Sequence, residues 1–134
     1  MTKVIDIEGI GPTYAAKLNE AGVKTVEGLL KVAATRAGRK ALAEKSGIRE
    51  ESILEWANRA DLFRIKGVGE EYSDLLENAG VDTVPELARR KAESLYSKLI
   101  EVNKAKRLVR QAPSQSQVTS WIEQAKTLPR VIEY

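Results

Sequence analysis

The chain has 134 residues, of which 43% are apolar and 31% charged, enough for one domain or two very small ones wrapped in charge. It contains no cysteine and no histidine. That excludes disulfides, thiolate metal sites and a cysteine nucleophile, along with the commonest general base and metal ligand. The net charge of +3 permits a nucleic-acid partner without requiring one. No apolar run approaches the ~20 residues of a membrane span. Asp6 interrupts the start before any signal-peptide core can form, so the cytoplasm is the expected location.

In chain order, the first feature is a glycine bend, Ile7-Glu8-Gly9-Ile10-Gly11-Pro12. Tyr14, Leu18 and Ala21 then form one apolar stripe at helical spacing, and Gly22 follows as a left-handed helix stop. Thr25 stands where the next helix needs an N-cap. A basic connector runs from Lys31 to Arg49, with six bases against Glu44. Ile53, Trp56, Ala57 and Ala60 keep the i, i+3, i+4, i+7 spacing of a buried helix face.

The same order then recurs. Residues 65–87 match residues 7–29 at 11 of 23 positions with an offset of 58, among them both bend glycines, the tyrosine and Ala-Gly-Val. After a seven-residue insertion, Val118, Trp121, Ile122 and Ala125 repeat the tryptophan face at an offset of 65. Thr83-Val84-Pro85-Glu86 has the form of a capping box with proline in the first turn, and Ser114 to Gln117 caps the last helix in the same manner. The stretch Gln111 to Gln117 is a polar turn broken at Pro113, and the tail Leu128 to Tyr134 is expected to dock on the body or on a second copy. Trp56 and Trp121 are expected in the core. Tyr14 and Tyr72, at the start of each hairpin's second helix, are expected to pack on the neighbouring repeat with their hydroxyls reaching water.

The expected fold is therefore all-α: two tandem repeats, about 1–62 and 63–134, each with a connector and a closing helix. About 60 residues rarely make a robust core, so the two are expected to pack as one compact pseudo-symmetric domain spanning 1–134.

The two glycine segments, each followed by the Leu, Gly-Val, Thr-Val and Leu positions, resemble the helix-hairpin-helix family. As a whole, the chain is similar to an uncharacterised bacterial family of small tandem helix-hairpin-helix proteins that carries a domain-of-unknown-function label. The resemblance implies contact with DNA phosphates through backbone amides at a helix start, often assisted by a cation held by the hairpin carbonyls. Carried over here, it points to Gly9, Ile10 and Gly11, with Thr13 following, and to Gly67, Val68 and Gly69 in the second copy. The chain departs from the family where a lysine or arginine usually follows the second glycine. It has Pro12-Thr13-Tyr14 in the first copy and Glu70-Glu71 in the second. At ~4–8 Å each carboxylate would cost an approaching phosphate roughly 0.5–2 kcal/mol. The second hairpin is accordingly read as structural.

Charge is segregated along the chain. Residues 66–88 carry one base and six acids, whereas residues 89–110 carry eight bases and two acids. Arg36, Arg39 and Lys40 in the first connector are the expected phosphate contacts, with Arg89, Arg90, Lys91, Lys104, Lys106, Arg107 and Arg110 in the second. Glu70, Glu71 and Asp74 lack the aspartate-rich loop spacing of a hard-cation site, so no metal or other cofactor is expected. The function expected from these residues is a non-enzymatic, sequence-independent DNA-backbone-binding module with no membrane partner and no small-molecule substrate. The alternative is a protein-interaction or assembly module that pairs with another protein or with itself.

Overall fold

The structure, a computed structural model, describes residues 2–134. After a 3-10 turn at Val4–Asp6 come α1 (Pro12–Glu20), α2 (Val26–Val32), α3 (Arg36–Ser46) and α4 (Glu50–Leu62). They are followed by α5 (Glu70–Asn78), α6 (Val84–Ala88), α7 (Ala92–Lys106) and α8 (Gln115–Thr127). Among the described residues, strand-like pairing is limited to one isolated antiparallel bridge between Lys3 and Thr25. The protein is all-helical. The limits of α5 lie 58 residues beyond those of α1, and those of α8 lie 65 beyond those of α4, the same offsets that relate the repeated sequences.

The chain forms two units, Met1–Asp61 with Arg130–Tyr134, and Leu62–Pro129. The change-over at Asp61 is close to the expected repeat boundary. The tail differs, because residues 130–134 return to the first unit instead of closing the second.

Helix ends follow from local chemistry. After α1, the Val23 N–H donates to the Leu18 carbonyl and the Gly22 N–H to that of Asn19, with Gly22 at φ +91°. After α5, Val81 and Gly80 do the same to Leu76 and Glu77. Both are double-bonded glycine stops that satisfy carbonyls the helix leaves open, and each tucks a buried valine under the turn. The hydroxyls of Thr25, Thr35, Thr83 and Ser114 accept the N–H groups of Gly28, Gly38, Glu86 and Gln117, capping α2, α3, α6 and α8. Only half of the expected box forms at Thr83, since the Glu86 carboxylate turns instead to Arg90 Nε at 3.0 Å. In α3, a Cβ on Gly38 would run into the Val32 carbonyl oxygen, so glycine there lets α2 end directly against α3.

In the first unit, Leu18, Leu29, Ile53, Trp56 and Ala57 are buried. The tail completes this unit. Ile132 is 1% exposed, the Glu133 N–H donates to the Ala34 carbonyl at 2.7 Å, and the Tyr134 hydroxyl donates to Asn58 Oδ1 at 2.6 Å. In the second unit, α6 and α7 both pack on α8, and α5 packs on α7. Its core includes Leu75, Leu76, Leu87, Leu95, Leu99 and Trp121. Burial of such side chains is the main stabilising term in a protein of this size.

Ile132→Ala is expected to destabilise the protein by about 2–5 kcal/mol in urea unfolding, the cost of emptying a buried aliphatic site. A loss below about 0.5 kcal/mol, the range of an ordinary surface change, would mean the tail is not seated in solution.

Candidate functional site

Each glycine bend is made by one residue with φ strongly positive, Gly9 at +96° and Gly67 at +95°. An L side chain resists that conformation. Ile10 and Val68, between the paired glycines, are buried, so their contribution outward is backbone alone. The Ile10 N–H is used locally, donating to the Ile7 carbonyl at 3.0 Å, and Val68 repeats this to Ile65 at 3.1 Å. The closing tryptophan lies under each bend. A Cβ on Gly9 would be 3.5 Å from Trp56 Nε1, and one on Gly67 would be 3.1 Å from Trp121 Nε1.

The tyrosines complete the arrangement. Tyr14 stands against Trp56, and Tyr72 against Trp121, each with ring centroids 5.1 Å apart. The expectation that they pack on the neighbouring repeat is thus corrected. The bend aims the start of α1 or α5 at the closing helix of its own repeat, and the ring lands on that helix's tryptophan. The sequence showed all three residues recurring, but periodicity alone carries no information about which recurrences touch.

The two bends differ in what surrounds them. At the first, Gly9, Gly11, Pro12 and Thr13 are exposed. Gly11 is the N-cap of α1, no side chain caps the helix, and its first turn contains no acid. Tyr14 is 40% exposed, with Lys17 Nζ 5.7 Å from its ring centroid. At the second bend, Gly69 caps α5, and Glu70 and Glu71 occupy the first turn. The Tyr72 hydroxyl donates to the Gln111 carbonyl at 2.9 Å, in the connection from α7 to α8. The Gln124 side chain clasps Lys66 from both sides, accepting its N–H at 2.8 Å and donating to its carbonyl at 3.2 Å. Sequence reasoning missed that clasp. Its only trace was a glutamine one turn beyond Trp121.

The expected cations divide into surface and structural groups. Lys40, Arg89, Lys91 and Lys104 are exposed. Lys106 is exposed and donates to Asn78 Oδ1 at 2.9 Å. Lys104, Arg107 and Arg110 line one pocket of the second unit. Arg36 opens α3, is exposed, and donates to the Tyr134 carbonyl.

Arg39 is a correction. It is 5% exposed and donates to the carbonyls of Ala33 at 2.9 Å and Glu133 at 2.7 Å, so it pins the tail and faces no solvent. Arg90 is another, half-buried and committed to Glu86 and to the Gly80 carbonyl. Both sit where a helix end or tail exposes a carbonyl, and a guanidinium can hold more than one acceptor at once.

Gly67→Ala is expected to cost about 2–3 kcal/mol in urea unfolding, from the left-handed backbone together with the tryptophan contact. Gly69→Ala, at φ −113° with open space around it, should cost under about 1 kcal/mol. Equal losses at the two positions would contradict this account of the bend.

Among the described residues, no helix is long and apolar enough to cross a membrane. A search of curated proteins found no match, and neither did a search of solved structures. The model of the family described as Domain of unknown function (DUF4332) matches residues 8–128, which take in both bends and both tryptophan helices, and the chain belongs to that family.

Proposed function

We propose that the protein is a non-enzymatic module of two helix-hairpin-helix repeats that holds a nucleic-acid backbone, DNA in the first instance, without reading its sequence. The first bend is the contact and the second is structural. The observation that carries this reading is the open start of α1: exposed Gly9 and Gly11, no capping side chain and no carboxylate in the first turn. A helix N-terminus of this kind carries roughly half a positive charge and turns its free amides toward an anion. At the equivalent place in the second copy, Glu70 and Glu71 already supply the negative charge and would repel phosphate.

Exposed cations of the same unit support the assignment. Lys17 lies one turn beyond Tyr14, α1 packs on α3, and α3 carries exposed Lys40 and Lys45. Each phosphate these residues neutralise would release counterions and steepen the salt dependence of binding. Amides and flexible cations reach phosphate oxygens and leave base edges unread, so no sequence preference is expected.

Titration of labelled duplex DNA at about 50 and about 200 mM salt tests the proposal, with affinity expected to fall steeply between the two. Thr13→Glu installs at the first bend the carboxylate that Glu71 places at the second. It should weaken binding by roughly 2- to 30-fold while the unfolding temperature holds or rises. Absence of binding by the native chain at about 50 mM salt overturns the reading and leaves pairing with a protein, which light scattering would detect if the partner is a second copy.

A further inference from the structure

The connection from α7 to α8 has no equivalent in the first unit, where only residues 47–49 join α3 to α4. Residues 107–114 make this longer link, and Asn103 organises it. Its backbone carbonyl accepts the Arg107 N–H at 2.7 Å, and its side-chain oxygen accepts the Val109 N–H at 3.0 Å. Val109 and Pro113 anchor the link by burial. Against the end of α7 it forms a pocket of about 610 Å³. Ile100, Leu108 and Val109 give the pocket an apolar lining, Lys104, Arg107 and Arg110 give it a cationic one, and Glu71 adds one carboxylate.

Two features set this pocket apart from an ordinary basic surface. The first is an excess of positive charge, three cations against the single carboxylate of Glu71. Lys104 and Arg107 form no ion pair among the described residues. Arg110 faces only Glu71, at 3.6 Å and with 95% of its own side chain in water. Such a solvated contact holds a cation weakly, so the concavity stays net positive, with Lys104 and Arg107 unpaired and Arg110 only loosely tied to Glu71.

The second feature is the backbone of Arg107. Among the described residues it is the one non-glycine residue with positive φ, at φ 51° and ψ 50°. That conformation disfavours every side chain, and helices usually end on glycine there. The first unit follows the rule, ending α3 on Gly47 at φ 74°. The second unit spends a strained position on a guanidinium that lines the pocket.

We propose that this pocket binds a small phosphorylated ligand of nucleotide size. Guanidinium groups match phosphate oxygens in a two-pronged geometry, and the lysine adds a point charge. The volume suits a ligand of this class, and the apolar lining takes the flat, weakly polar body that a bare oxyanion lacks. A free nucleotide and the phosphorylated end of a nucleic-acid strand share this chemistry. The pocket belongs to the second unit and the bend at Gly9–Gly11 to the first, and either reading can fail without the other.

Calorimetric titration of the full chain with ADP, adenosine and inorganic phosphate at about 50 mM salt tests the proposal. ADP should bind saturably, adenosine should not bind, and inorganic phosphate should bind at least about tenfold more weakly than ADP. Arg107→Gly should lower ADP affinity about tenfold or more, the effect of losing one charge-assisted contact, while the unfolding temperature holds or rises. Lys104→Gln should weaken ADP to a similar degree. Competition by a 5′-phosphorylated oligonucleotide assigns the pocket to strand ends, and failure to compete assigns it to free nucleotides. The proposal is overturned if ADP shows no saturable binding, if phosphate alone binds as tightly as ADP, or if both variants bind ADP like the native chain.

Discussion

The arrangement depends on one close approach: a glycine in the left-handed region, pressed against the indole of a tryptophan some fifty residues further on. The positive φ turns the chain abruptly enough to start a helix immediately after the bend. At Gly67 the absence of a Cβ also lets the indole come up underneath, whereas at Gly9 a Cβ would make an ordinary contact. The tyrosine five residues beyond that glycine then meets the same tryptophan, which ties the new helix to the closing helix of its repeat. Because such contacts are made twice with nearly equal geometry, the shared pattern is a packing requirement. Function is to be sought in what differs between the copies.

The differences that bear on an anion lie at the two bends and in the α7–α8 link. The first bend opens onto solvent with an uncapped helix start, and the second is surrounded by carboxylates, a glutamine clasp and the α7–α8 link. Both stretches pack a tyrosine and a tryptophan in the same way, so their surfaces are freer to differ than that contact. An unfilled helix start in one copy and a filled one in the other has that form. The added link diverges in the opposite sense, placing Arg107 and Arg110 beside Lys104 where the first unit has a short glycine-ended turn.

Arginine shows how composition misleads when position is unknown. Counted along the chain, Arg39 and Arg90 belong to basic runs that look solvated. In the folded protein Arg39 joins two carbonyl oxygens at the tail, and Arg90 joins the Gly80 carbonyl to the Glu86 carboxylate. A buried cation with well-placed acceptors is an internal strut, and removing it would strand the carbonyls it satisfies. Surface charge is therefore smaller and more localised than the sequence total suggests.

Helix identity, helix ends and the apolar faces were legible in the sequence, because each depends on neighbours within a few residues. Leu18 with Gly22, Thr25 as a cap, and Trp121 with Ala125 on one face are set by local backbone geometry and by a 3.6-residue period. Repetition added the correspondence of the two halves, since chance does not align that many positions. Contacts between distant segments were not legible. The pairing of Tyr14 with Trp56, the clasp of Gln124 on Lys66 and the return of Ile132 to the first unit all join residues that no spacing rule connects. Nor could the sequence say which cations point to water, because a guanidinium is placed by the carbonyls it finds, and those become available only when the chain has closed on itself.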